Sequence, residues 1–288
     1  MTHILNWLIS RRYRVIVSAI AFSPIFPIVS SSLITLSVMV NGYKKSIQIP
    51  LISSLIVTVL LLYTGTTSSL SIFLSILPLY AGLFLGYLIY RSNSINFVFQ
   101  VIYLLCFLIV LVSLFFNGFN NIFASIFDQI VEIFLTTGAP ESQINSLNSW
   151  RELFFSLIVA IIFIQLVISL FLSVWWYSLI KKENVFFHQF KALRLGKYLG
   201  FPATLLLFFS IFSDTIIVDS FFALILIAFC IQGIALVHDY GSSINLHPAI
   251  LALMYILLVT PLTGFVILLL SLIGLVDNWI NLRSLYRN

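Results

Sequence analysis

Residues 153–180 read LFFSLIVAIIFIQLVISLFLSVWWYSLI, an apolar run in which Gln165 is the one amide. A transmembrane α-helix needs about 20 consecutive apolar residues to cross the hydrocarbon core of a bilayer. Trp150 and Trp175 lie near the two ends of this run, where tryptophan is enriched at membrane–water interfaces. The run therefore predicts a membrane-spanning helix.

The rest of the chain repeats this pattern. Of its 288 residues, 61% are apolar and 8% are charged, against about 45–50% and about 25% in soluble domains. This composition excludes a soluble enzyme, a disordered chain and a nucleic-acid-binding domain, and it makes the lipid bilayer the first partner. We predict an all-α, polytopic transmembrane helix bundle, a single integral membrane domain over residues 1–288. Its eight apolar segments are 15–40, 47–63, 68–90, 95–116, 153–180, 198–213, 220–237 and 248–276.

Prolines interrupt the first and last of these segments. Pro24 and Pro27 break the first, and Thr260-Pro261 breaks the last, because proline lacks a backbone donor and clashes with the preceding helical turn. Each segment is either a re-entrant loop or hairpin, or a kinked single span. If they turn back, the broken backbone has to face protein or a water-filled cavity.

The basic residues favour segments that turn back. If every segment crossed once, the basic residues would divide almost evenly between the two sides, against the positive-inside rule. If the first and last segments return, all 14 Lys and Arg residues except Arg151 fall on one side. We therefore predict a multi-pass protein of the bacterial cytoplasmic (inner) membrane with both termini cytoplasmic. Arg151, Asp128 and Asp219 then lie outside.

Two connecting segments have amphipathic character. Residues 121–136 carry large apolar side chains on one helical face and Asp128 and Glu132 on the other. This pattern predicts an extracytoplasmic interfacial helix, either a linker lying on the lipid or a lid over an external site. Residues 181–197 interleave phenylalanines with Lys191, Arg194 and Lys197. They predict a basic cytoplasmic loop that anchors on anionic lipid or docks a partner.

The chain offers little reactive chemistry. No Asp, Glu, Lys or Arg lies in the middle of an apolar segment, where proton relays and membrane enzymes usually place such groups. No metal, cofactor or catalytic motif is present in the sequence, so we predict neither an enzyme nor a cofactor. Gly82 and Gly86 form a small-residue face for close helix packing. Since broken segments mark binding sites in transporters, the candidate ligand-binding residues are Pro24, Pro27, Gln232, Thr260 and Pro261.

Two stretches resemble YybS-like predicted membrane proteins of bacteria, a family with no established activity. The first is Trp175-Trp176-Tyr177 with 187–195 (FHQFKALRL), and the second is 232–238 (QGIALVH) with 272–279 (LIGLVDNW). The early part, with its proline turn, is similar to the substrate-binding S components of energy-coupling-factor vitamin transporters. Those components dock on a coupling subunit through small residues of the first helix. This chain has Ala19, Ala21 and Ser23 there, which depart from a regular Ala-x-x-x-Ala pattern.

These observations lead to two functional hypotheses. The first is a substrate-binding transport component for a small uncharged or aromatic solute, energised by a partner such as an ATPase subunit. The alternative is a structural or assembly membrane protein that recruits partners through Lys191, Arg194 and Lys197.

Overall fold

The computed structural model describes residues 1–65, 69–210, 212 and 215–286. These residues form helices and no strand. The helices are α1 Thr2–Ile9, α2 Arg12–Phe22, α3 Pro27–Asn41, α4 Tyr43–Ser46, α5 Gln48–Tyr63, α6 Ser69–Ser92, α7 Ile95–Phe115, α8 Asn117–Thr136, α9 Glu141–Asn148, α10 Phe154–Lys181, α11 Val185–Lys191, α12 Gly196–Ser210, α13 Ile216–Ser243, α14 Pro248–Leu257, α15 Thr263–Ile280 and α16 Arg283–Tyr286.

The predicted helical membrane bundle is confirmed. Within the described residues, 6 helical stretches are long and apolar enough to cross a membrane: Tyr43–Tyr63, Ser71–Ser92, Ile95–Phe115, Phe154–Lys181, Ile216–Ser243 and Thr263–Ile280. The bent pair α11 and α12 would make a seventh if counted as one span. Each predicted apolar segment contains a helix, and the first and last are each divided into two helices.

The first segment turns back on itself. α2 ends at Phe22, and α3 begins with Pro27 as its first helical residue, the position where a missing N–H costs least. A side-chain hydrogen bond of 3.2 Å joins Arg12, at the start of α2, to Gln48, which follows the end of α3 closely in the chain. The start of α2 and the end of α3 therefore lie at the same end of the bundle, as a hairpin requires.

The last segment is broken between Leu257 and Thr263. Thr260 and Thr263 cap this break with their own hydroxyls, which donate to nearby backbone carbonyl oxygens at 2.9 Å (Leu257) and 3.0 Å (Leu258). These bonds satisfy carbonyl groups that the helix end leaves open. The two threonines thus stabilise a non-helical turn between α14 and α15.

The chain divides into two compact units, residues 1–99 with 165–192 and residues 100–164 with 193–288. In the first unit, Gly82 and Gly86 of α6 lie against α3, so the predicted packing face is confirmed. A Cβ on Gly82 would stand 2.5 Å from the backbone oxygen of Ser31. The Thr35 hydroxyl donates to the Gly82 carbonyl oxygen at 2.8 Å, a side-chain bond between closely spaced helices.

The second unit is built on an equally close contact. Gly233 of α13 faces the backbone of Leu270 in α15, and Gly274 of α15 faces the backbone of Phe229 in α13. Neither position has room for a Cβ atom. The Ser271 hydroxyl adds a 2.7 Å bond to the Leu226 carbonyl oxygen, so backbone contact and hydrogen bonding together hold the two helices.

Basic residues of the first unit collect at one end of it. Tyr43 packs edge-on against Tyr87 at 5.2 Å, which brings Lys44 and Lys45 to the end of α6 that carries Arg91. The charge distribution predicted from the sequence required these three residues to share a side.

Two further segments reach that same end. The Gln189 side chain of α11 donates to the Asn93 carbonyl oxygen at 2.9 Å and accepts from the Ile95 N–H at 2.8 Å. Leu5 and Ile9 of α1 pack on the last turns of α10, where they contact a cluster that includes Tyr177 and Ile180. The N-terminus, the 92–95 turn and α11 are thus brought together, as the predicted topology needs.

Replacing Gly82 by alanine should destabilise the protein. The added methyl group meets a backbone oxygen that cannot move alone, and overpacking of this kind costs about 1–3 kcal/mol. We expect a lower midpoint of thermal unfolding for purified Gly82→Ala in detergent. The matched control is Gly264→Ala in α15, where nothing lies within 4 Å of the added atom. Equal midpoints for the two variants would contradict the close α3–α6 contact.

Candidate functional site: a cavity at the start of α13 and an ion cluster at the end of α15

The candidate ligand-binding residues predicted from the sequence do not form one site. Pro24 and Pro27 belong to the first unit, whereas Gln232, Thr260 and Pro261 belong to the second. Gln232 is fully buried and hydrogen-bonded to groups other than the α14–α15 break. It accepts from the Leu195 N–H at 2.9 Å and donates to the Gly274 carbonyl oxygen at 2.9 Å.

Gln232 leads to a buried ion cluster that the sequence did not reveal. Its amide donates at 3.2 Å to one carboxylate oxygen of Asp277, a side chain with 0% exposure. The same oxygen lies 3.2 Å from the Arg283 guanidinium, which is 6% exposed, and 3.6 Å from that of Arg194, which is 28% exposed. The other Asp277 oxygen has no hydrogen-bond partner among the described residues.

The cluster ties three stretches of chain together. Arg283 of α16 donates to the Leu193 carbonyl oxygen at 2.8 Å, and Arg194 donates to Asn281 at 2.9 Å. Asn278 accepts from the Gly196 N–H at 3.0 Å. These bonds fix the entry to α12 against the end of α15. We interpret the cluster as a structural lock, since one Asp277 carboxylate oxygen is engaged by both guanidinium groups and by the Gln232 amide.

The three basic residues predicted as a docking surface, Lys191, Arg194 and Lys197, differ in exposure and in ion pairing. Arg194 is engaged by Asp277, so replacing it would disturb the fold as well as any docking. Lys197 is exposed, and Lys191 is partly buried at the end of α11. Lys181 and Lys182 are exposed and are better candidates than Arg194 for contact with lipid or a partner.

A cavity of about 270 Å³ lies at the start of α13, in the second unit. Two short stretches line it, one at the entry to α10 and one in the first two turns of α13. Its walls are mostly hydrocarbon and aromatic, with one carboxylate. The lining residues are Trp150, Leu153, Ser156, Leu157, Asp219, Ser220, Phe222 and Ala223.

The opposite face of the α10 entry is covered by α8. Phe127 and Phe123 of α8 pack edge-on against Phe154 and Phe155, with ring centroids 5.2 and 4.9 Å apart. Arg151 adds an exposed 2.8 Å ion pair with Asp128. The predicted amphipathic helix is present as α8, and its apolar face packs on protein here, which places it beside one wall of the cavity.

Sequence reasoning missed the cavity for a physical reason. From the sequence alone, Trp150 is typical of a tryptophan at the membrane–water interface. Asp219 is typical of an acidic residue that interacts with the N-terminus of a helix. The predicted topology puts both outside the membrane on the same side. Nothing in the local sequence shows that residues 150–157 and 219–223 meet.

Removing the Asp277 carboxylate should cost far more than removing an exposed one. Asp277→Asn leaves two guanidinium groups without their carboxylate, and breaking a buried pair costs about 3–5 kcal/mol. The control, Asp128→Asn, breaks the exposed pair with Arg151, which is worth about 0–1 kcal/mol. We expect a large fall in the thermal unfolding midpoint for Asp277→Asn alone. Similar shifts in both variants would refute the structural lock.

Comparison with known proteins places the chain in a family. Residues 13–278 match the family model described as "Predicted membrane protein (DUF2232)". This range includes the lining of the cavity, together with Arg194, Gln232 and Asp277 from the ion cluster. No curated protein and no solved structure matches the chain. Since the match covers most of the sequence, the protein belongs to the DUF2232 family of predicted membrane proteins.

Proposed function

We propose that this protein is the solute-binding component of a membrane transport system for a small uncharged or aromatic solute. The observation that supports this function is the cavity beside Trp150 and Phe222. Binding sites for small molecules are concave and mostly apolar, with a few placed polar groups. A cavity of about 150 Å³ already holds benzene, so about 270 Å³ suits a ring with a short side arm.

The charge distribution supports an orientation for this site. Under the positive-inside rule, the end that gathers Lys44, Lys45 and Arg91 is cytoplasmic. The cavity lies at the entry to α10, next to Arg151, whereas Lys181 and Lys182 follow the other end of that helix. In the proposed orientation the cavity is extracytoplasmic, where a solute-binding component of an uptake system in a bacterial inner membrane would need it.

Reporter fusions test this orientation. Fusions at Lys45 and after Asn288 should give cytoplasmic signals, and a fusion at Ser146, in α9, should give an extracytoplasmic one. Arg287 and Asn288 lie outside the described residues, so the C-terminal fusion also tests the side assigned to Arg287. An extracytoplasmic signal at Lys45 or at the C-terminus would overturn the proposed orientation.

The chain carries no nucleotide-binding motif, so in this proposal the driving force comes from a partner or from a gradient. The resemblance to YybS-like proteins and to S components motivates an ATPase subunit as that partner. The docking surface would differ from that of S components, however. Ala19 and Ser23 are buried within the first unit, so Ala21 is the one small residue of the three that is exposed.

Filling the cavity should abolish solute binding. Ala223→Leu places a larger side chain in the cavity wall, and Ala252→Leu makes the same change on the exposed surface of α14. The probe is para-fluorophenethyl alcohol, followed by fluorine NMR in nanodiscs of zwitterionic lipid, with empty nanodiscs subtracted. We expect saturable binding by the wild type and Ala252→Leu, and its loss in Ala223→Leu. No saturable binding by the wild type would refute the proposed site.

The alternative function is partner recruitment by the basic loop, and the exposure of Lys181, Lys182 and Lys197 favours it. Native mass spectrometry separates the two functions. A retained small solute that is lost in Ala223→Leu supports the binding component. A retained protein subunit without any solute, lost when the three lysines are changed to Gln, supports recruitment instead.

A further inference from the structure

We propose that the cavity selects aromatic solutes that carry a protonated amine, and that the Asp219 carboxylate is the group that recognises the amine. This inference rests on the proposed function and narrows its solute class. It is carried by the juxtaposition of one carboxylate with Trp150 and Phe222 around the same cavity.

Asp219 is the charged residue among those that line the cavity. It lies in the first turn of α13 and is partly buried. Within the described residues its carboxylate has no hydrogen bond and no ion pair, unlike Asp128 and Asp277. The neighbouring Ser220 hydroxyl is already used, because it donates to the Ile216 carbonyl oxygen at 2.7 Å.

The chemistry of these groups decides the sign of the ligand. The Asp219 carboxylate is partly buried and borders apolar walls, so it attracts a cation that enters the cavity. Hydrogen bonds between charged partners are about twice as strong as neutral ones. An anionic solute would be repelled, and a neutral one would leave the carboxylate without a charged partner.

The aromatic residues decide the shape of the ligand. Trp150 and Phe222 offer flat apolar surfaces, and an aromatic ring stacks against such surfaces in offset or edge-on geometry. An ammonium group is also attracted to the face of tryptophan. A ring joined by a short chain to a primary amine therefore matches both features of the cavity, and its size fits about 270 Å³.

Two matched probes test the inference in nanodiscs of zwitterionic lipid. Para-fluorophenethylamine and para-fluorophenethyl alcohol share a ring and a chain and differ in the terminal group. We expect the wild type to bind the amine about 10-fold more tightly, which corresponds to about 1.4 kcal/mol. Asp219→Asn should bind both probes with the affinity of the alcohol, and Asp219→Glu should retain the preference.

Glu132→Gln is the control variant, because Glu132 is an exposed carboxylate on α8 that does not line the cavity. It should keep the amine preference. Equal binding of both probes by the wild type would overturn the amine inference while leaving the proposed function standing. If neither probe bound the wild type, both the amine inference and the proposed function would be overturned. A preference that persists in Asp219→Asn and disappears in Glu132→Gln would assign the effect to surface charge and refute the role of Asp219.

Discussion

Transferring a charged side chain into the hydrocarbon core is expensive, and this cost determines where the chain can turn. The basic residues of the first unit follow helix ends that are brought together by contacts such as Tyr43 with Tyr87 and Gln189 with Asn93. The hairpin of α2 and α3 follows from the same constraint, because a single crossing there would move Lys44 and Lys45 to the side opposite Arg12. Proline supplies the break, and charge requires the return.

Asp277 is a buried charge, and its cost is reduced because it is paired with arginines. Its carboxylate is fully buried, yet it faces two guanidinium groups and the Gln232 amide. The Asp219 carboxylate is placed differently, since it borders a cavity and lacks an internal partner among the described residues. Asp277 thus stabilises the fold, whereas the Asp219 carboxylate borders the cavity and is accessible to a ligand.

Much of the fold was predictable, because apolar length and proline position are local signals. The eight segments and the breaks at Pro27 and Pro261 could be read directly. Proline alone was not sufficient, however, since Pro78 and Pro202 lie inside the continuous helices α6 and α12. Membrane helices tolerate such prolines where neighbouring groups satisfy the freed backbone.

The candidate sites were less predictable, because they depend on contacts between residues far apart in the chain. Asp277 stands at the end of an apolar segment and looks like a solvated terminal charge. Its burial depends on Arg194 and Arg283, which no local pattern connects to it. The same holds for Trp150 and Asp219. Gly82 and Gly86 were readable because their four-residue spacing is itself the signal of close packing.

The contact of Gly233 with Gly274 limits which residues these two positions can carry. Each glycine faces backbone atoms of the other helix, so a larger residue at one position has no smaller residue at the other to compensate for it. Any added atom must push α13 and α15 apart, and Gln232 would then lose its reach to Gly274 and Asp277. Helix spacing and the position of the ion cluster are therefore coupled in this protein, because the same two helices carry the glycines, Gln232 and Asp277.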